Sequence, residues 1–284
     1  MSEEISKTPT EDTSKILNHR PDPIKLEEFI NRIKNEKTFP QTMNNVLLER
    51  YLKISFNNVE NAFALLKSGL EMRAKASYLF TDRDVMSSEI QTACTTFQFV
   101  PLPKITKDRY KVTIIRFPKC DSNLYDSVQV IKAALMMFDA CYTIYDYGDD
   151  GFVEGEIFVL DVEGYSFKQF LDLGKNAKTL LFYTSFLQEG APVTLIRNHI
   201  CNTSTILDSI MSMVKPILSK AVSDVVHVHR YGNGLLEFID RDVLPSDYGG
   251  FEKSIDELYE DWLKVFKSKR DYLINDNHWK LSEQ

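Results

Sequence analysis

The apolar run Ile157-Phe158-Val159-Leu160 leads without interruption into Asp161. A strand with one wet face alternates apolar and polar residues, whereas a strand covered on both faces reads as a continuous apolar run, so this stretch fits the interior of a parallel sheet. Upstream, Val112, Ile114 and Ile115 form a second short β-branched run, and helical-period sequence fills the interval from Leu124 to Tyr145. Strand, crossover helix, strand is the predicted unit. Downstream, Pro192 to Ile200 and Val225 to His229 read as further strands separated by another helix. The chain beyond about residue 95 is therefore expected to be α/β.

The stretch before it has a different period. Asp22-Pro23 sets a capping carboxylate before a proline at the first helical position, and Leu26, Phe29, Ile30 and Ile33 then recur on one face. A second helix carries Val46, Leu47, Tyr51 and Leu52; a third opens at Asn57, with Glu60 three places on, and runs through Val59, Phe63, Leu66 and Leu70. At the other end, Gly249-Gly250 closes the α/β part, and Ser254 with Glu257 forms a capping box for a last amphipathic helix through Leu258, Trp262, Val265 and Phe266. The predicted organisation is a loose tail over 1–20, a helical lobe over 21–95 and an α/β domain with a carboxy-terminal helix over 96–284.

Composition narrows the function. Of 284 residues, 34 are Lys or Arg and 41 are Asp or Glu, a net charge of −7 that argues against a nucleic-acid binder. Cys94, Cys120, Cys141 and Cys201 stand far apart with no CxxC pair, which disfavours a zinc knuckle or a disulfide framework and fits a reducing, cytoplasmic setting. Met1 to Arg20 has no apolar stretch that reads as a secretory signal, and no run approaches the roughly 18 apolar residues of a membrane span.

Motifs of catalysis and metal binding are thin. Asp146, Asp149, Asp150 and Gly151 resemble the start of an EF-hand, but the twelfth position, where calcium needs a bidentate Glu, is Ile157, so an acidic surface loop is expected. His227 and His229 share a strand face and lack an evident third ligand; two histidines satisfied by backbone carbonyls are the expectation. Gly232-Asn233-Gly234 is too short for a dinucleotide loop and reads as a turn. There is no GxSxG, HExxH, GxxxxGK[ST] or CxxC. No enzyme, metal or cofactor is predicted.

One segment stands out. On a helical wheel, Thr203 to Lys220 gathers Ile206, Leu207, Ile210, Met211, Met213, Val214, Ile217 and Leu218 into an arc of about 160°, with Ser204, Asp208, Ser212, Lys215 and Ser219 opposite. Periodicity alone favours a plain core-facing helix; the methionines in the stripe are compatible with an adaptable wall against a flexible ligand but also occur in plain cores.

Several of these stretches together resemble the CRAL-TRIO lipid-binding proteins, in particular the branch of α-tocopherol transfer protein and cellular retinaldehyde-binding protein. The similar residues are Leu48, Arg50, Tyr51 and Leu52; Lys111-Val112 to Arg116; Asp161-Val162-Glu163-Gly164-Tyr165; Ser212-Met213-Val214-Lys215-Pro216; and Leu244-Pro245-Ser246-Asp247-Tyr248-Gly249-Gly250, in family order from about residue 24 to 275. The resemblance implies a three-helix amino-terminal lobe and an α/β lobe whose mostly parallel sheet floors an apolar cavity closed by a lid helix, which Thr203 to Lys220 matches. It implies ligand contacts at Ile115, Phe117, Ala134, Leu135, Phe138, Phe158, Leu160, Tyr165, Phe186 and Leu187, and at Leu207, Ile210, Met211 and Val214 of the lid. The partners it implies are one hydrophobic small molecule, of isoprenoid, sterol, carotenoid, retinoid or tocopherol type, and a transiently touched membrane surface.

Two departures matter. The positions where that branch grips phosphoinositide head groups with basic side chains hold Ser55, Thr194, Ile196, Ala221 and Val225, with only Arg197 and Lys220 nearby, which counts against phosphoinositide binding. Ala134 and Phe138 replace serines of the crossover helix, and the loop from Tyr145 to Gly155 is longer, which counts against tocopherol itself as the ligand.

Overall fold

The computed structural model describes residues 20–146, 151–203, 216 and 218–282. Its amino-terminal part is helical: α1 (Pro23–Lys34), α2 (Asn45–Ile54), α3 (Val59–Lys75), α4 (Ser77–Phe80) and α5 (Ser88–Thr96). Asp22 caps α1 as its sequence predicts, accepting from the amides of Ile24 and Lys25. The cap of α3 falls one residue later than expected. Asn58 accepts from the Asn61 amide, while Asn57 sits at φ 58° and its side-chain oxygen accepts from the Asp22 amide at 2.9 Å, tying the starts of α1 and α3 together. The short α4 and α5 add to the three long helices; neither is long enough to show a period on its own.

Among the described residues the sheet has five strands, in the order β1 (Gln98–Ile105), β2 (Tyr110–Arg116), β3 (Gly155–Asp161), β4 (Leu195–Cys201) and β5 (Val226–Val228). β1 runs antiparallel to β2; the other pairs are parallel. Pro101 and Pro103 hide β1 in the sequence, and proline is tolerated there because β1 is an edge strand. The crossover from β2 to β3 is α6 (Ser127–Tyr142), capped by Asp126 and buried at every position except Val128 and Gln129. Its apolar side chains face every direction because other elements pack all round it. Two helices, α7 (Phe167–Lys175) and α8 (Ala177–Glu189), lead to β4.

After β4 come the short α9 (Lys220–Ser223), β5, and α10 (Ile255–Ser268), followed by α11 (Arg270–Ile274). α10 begins with both halves of the expected capping box, Ser254 and Glu257. It lies along the open side of β1, where Trp262 and Phe99 have ring centroids 6.3 Å apart. The glycines at 232 and 234 open a 3-10 turn, Gly232–Glu237. Most of the segment matched to the lid, including Leu207, Ile210, Met211 and Val214, lies outside the described residues. Among the described residues, no helix is long and apolar enough to cross a membrane.

Candidate functional site

Strand register builds the site. Ile115, Leu160 and Ile200 stand side by side across β2, β3 and β4, and two residues earlier so do Thr113, Phe158 and Asn198. Side chains alternate along a strand, so these six share one face. Ile114, Ile157 and Val159 point the other way and are fully buried. Ile115, Phe158 and Leu160 are only half-buried although they border the same core. On the face that carries the expected ligand contacts, the sheet thus leaves Ile115, Phe158 and Leu160 partly uncovered, while Thr113 and Ile200 of the same face are buried.

Helix α6 forms one wall above that face. Phe138 meets Phe158 edge-on at 5.6 Å between centroids and Phe99 at 4.8 Å, with Ala134 and Leu135 buried beside it. Where the tocopherol branch resemblance implies serines, this chain has a ring wedged between two others. At the far end of β2, half-buried Phe117 lies 4.9 Å from Tyr165, which is 5.9 Å from Tyr125. Tyr165 Oη donates to the Gln169 carbonyl at 3.3 Å and lies 3.3 Å from Tyr125 Oη. Burial pushes the Tyr165 phenol up to about 12, so it stays a neutral donor and acceptor at the edge of an apolar surface.

Helix α8 supplies another wall. Phe186 is buried against Phe80 at 5.3 Å and the Arg73 guanidinium at 5.1 Å, so it faces the helical lobe; Leu187 is half-buried. Leu180 and Tyr183 are half-buried too, and with Val193 and Ile196 they continue the apolar surface beyond the expected contacts, whereas Phe182 stacks on Phe186 at 6.1 Å and faces the helical lobe with it. Their signal in the sequence is the apolar stretch Leu180 to Leu187, too short for a bilayer and too apolar for a surface helix. A separate cleft of about 280 Å³ opens between α3, α4 and residues 276–281, against Arg73, Phe80 and Trp279; none of the expected ligand contacts lines it.

The residues that carried the family resemblance are mostly framework. Tyr51 Oη donates to the Gly190 carbonyl at 2.8 Å, joining α2 to the end of α8. Asp161 accepts from Tyr248 Oη at 2.8 Å and from Asn202 Nδ2 at 2.9 Å, and Asn202, at φ 56°, accepts in turn from the Gly232 amide. A Cβ on Gly164 would lie 2.1 Å from the Phe117 carbonyl oxygen, and one on Gly250 1.8 Å from that of Leu244. Only glycine fits either contact.

Asp146 corrects the reading of an acidic surface loop. Its carboxylate is buried, accepting from Arg50 Nη1 at 3.0 Å and from Lys111 Nζ at 2.8 Å, while Arg50 Nη2 reaches the Ile144 carbonyl at 3.1 Å. Burial opposes its charge, but the two cations hold its carboxyl well below the usual range. Nearby Glu156 is pushed up to about 7, chiefly by burial, against the pull of Lys111 and Arg50. A second buried cluster joins Arg73 and Arg83 to Asp139 of α6. These groups pin the helical lobe to the sheet domain.

His229 also differs from expectation, since its Nε2 meets Nδ1 of a third histidine, His199, at 2.8 Å instead of a carbonyl. Among the described residues no group of three or more His, Cys, Asp or Glu is arranged to hold a metal, and the four cysteines are free. At the phosphoinositide positions, Ser55, Thr194, Ile196 and Val225 are half-buried, and nearby Lys220 pairs with Asp224 at 2.6 Å.

Residues 97–250 match the family described as CRAL/TRIO domain, and residues 21–90 match the one described as Pinta-like, UBA domain. The human protein named alpha-tocopherol transfer protein-like is 25% identical over 126 residues, which cover 44% of this chain and 35% of that protein. The mouse protein of the same name is 28% identical over 106 residues, covering 37% of this chain and 30% of that protein. The matched region thus spans about a third of these relatives. The crystal structure of Sfh5 superposes with a TM-score of 0.55 at 13% identity, covering 87% of this chain and 98% of Sfh5, a likeness of fold.

Proposed function

Because the chain belongs to the CRAL/TRIO family, we propose that it carries one hydrophobic small molecule between membranes, held over the apolar face of β2, β3 and β4. The observation that supports this most is the asymmetry of the sheet, half-buried at Ile115, Phe158 and Leu160 and fully buried on the opposite side at Ile114, Ile157 and Val159. A guest with about 400 Å² of apolar surface gains roughly 10 kcal/mol on leaving water for such a site. Leaving a bilayer gains little, so selectivity falls to shape and to a few polar groups, among which Tyr165 and Tyr125 are placed to act.

From the resemblance, Thr203 to Lys220 is assigned as the gate, with Leu207, Ile210, Met211 and Val214 covering the guest. The reading needs no metal, nucleotide or catalytic group. Four free cysteines fit a cytosolic setting.

Helix α7 supports the membrane contact. It buries Gln169 and Leu173 yet leaves Phe167 62% and Leu171 48% exposed, one turn apart, beside Leu124 at 48%. Exposed apolar side chains accompanied by Lys168 and Lys175 suit an anionic bilayer surface. Phe167→Ser with Leu171→Ser should lower binding to phosphatidylcholine–phosphatidylserine vesicles at least ~10-fold in flotation, with an unchanged melting temperature. Undiminished binding assigns the contact elsewhere.

The carrier reading is tested by transfer of a fluorescent apolar lipid from donor to acceptor vesicles, which the protein should accelerate catalytically. A protein that binds the lipid without accelerating transfer fits the alternative, a sensor that presents its guest to a partner. The net charge of −7 and the non-basic residues at the phosphoinositide positions give that alternative some weight.

A further inference from the structure

Among the described residues β5 is the last strand of the sheet, and its Val226, His227 and Val228 pair with Asn198, His199 and Ile200 of β4. Three histidines gather at this seam, on the side of the sheet away from the apolar floor. His199 is fully buried, and its ring is stacked 5.2 Å from His227 and 5.1 Å from His229 between centroids. Phe238 closes the cluster, 4.9 Å from His199, 5.1 Å from His227 and 5.5 Å from His229. From the 3-10 turn, the backbone at Gly234 presses so close that a Cβ there would lie 2.8 Å from His229 Nδ1. The charged groups acting on the cluster are Arg197 of β4, which disfavours a proton on His199, and Glu237 of the turn, which favours one on His229.

The link between His199 Nδ1 and His229 Nε2 works only if one nitrogen donates and the other accepts. Protonating both rings sets donor against donor and puts like charges on stacked rings. Moreover, His199 Nε2 is buried with no hydrogen-bond partner among the described residues, so an imidazolium there leaves an N–H without an acceptor from them.

We propose that the His199–His227–His229 cluster makes the β4–β5 seam acid-labile, clamping β5 while His199 and His229 are neutral and releasing it when those two rings take up protons. Burial, then His229, His227 and Arg197, push His199 down to about 3, and burial and His227 lower His229. A histidine held below its free value contributes stability that is complete above about pH 6.5 and fades as pH falls towards about 3. An opened seam returns His199 to the free value of about 6.5, so at pH 5.0 opening is favoured about 30-fold through that ring relative to neutral pH. The seam does not depend on the carrier reading.

The test is residue-resolved hydrogen exchange on the full, ligand-free chain at pH 7.5 and 5.0, corrected for intrinsic exchange. The amides of Asn198 and His229 cross the seam to the Val225 and Ile200 carbonyls. Their protection should fall at least about 30-fold at pH 5.0, while amides between β2 and β3 keep theirs. H199Q/H229Q should flatten the pH response, and if that pair does not fold, H227Q should reduce it. Equal seam protection at both pH values in the unmodified chain overturns the proposal, as does an undiminished acid response in the folded variants.

Discussion

Asp139→Ala should destabilise the protein by about 3–5 kcal/mol, because it removes the one carboxylate shared by two buried guanidiniums. Arg73 donates to both Asp139 oxygens, at 2.9 and 2.6 Å, and Arg83 donates to one of them. Burial alone would raise the carboxyl; the two arginines outweigh it and hold it below the usual range, so the ionised form is the folded one. Without it, both cations remain in a nest of Phe80, Phe186 and Trp279, whose ring faces attract them but accept no hydrogen bond of comparable strength. Urea unfolding of the variant measures the loss. Replacing all three residues together, Asp139→Leu with Arg73→Met and Arg83→Leu, should recover most of it, since a buried ion cluster costs most when half dismantled. A loss below about 1 kcal/mol from Asp139→Ala would mean that water reaches the arginines.

Leu160→Asp should cut retention of an apolar guest by about 100-fold or more while costing the fold far less than Asp139→Ala. Leu160 lies half-buried in the row with Ile115 and Ile200, so the free protein can hydrate a carboxylate there. An apolar molecule seated on that row must strip the water away, at several kcal/mol for an ion. Leu160→Met, which keeps the surface apolar, should bind normally. Equilibrium binding of a fluorescent apolar lipid, measured beside the melting temperature, separates the two effects. Equal affinity for Leu160→Asp and the unmodified chain would move the guest off this face.

What the sequence shows and what it hides divide along physical lines. Locally encoded features are legible: the Asp22-Pro23 cap, the Ser254 and Glu257 box and the continuous apolar run of β3 each depend on neighbours within a few residues. β1 is not, because its prolines are allowed by an edge position that only the assembled sheet defines. Ion pairs are not either. Arg50 and Asp146 are 96 residues apart, and Asp146 looks like part of an acidic loop until the fold brings Arg50 and Lys111 to it.

For the site, the apolar identity of Phe158 and Leu160 is legible, but their half-buried state depends on what the opposite layer leaves open. The triad shows how far this goes: His227 and His229 share a face by strand alternation, whereas His199 joins them only through the β4–β5 register.

Native mass spectrometry of the gently purified protein, followed by extraction and identification of any released molecule, tests lipid carriage most directly. One apolar molecule per chain, lost from Leu160→Asp but kept by Leu160→Met, is the predicted outcome. A protein that arrives empty and takes up no retinoid, sterol, carotenoid or tocopherol from vesicles, with β2, β3 and β4 closed over by its own side chains, would contradict it.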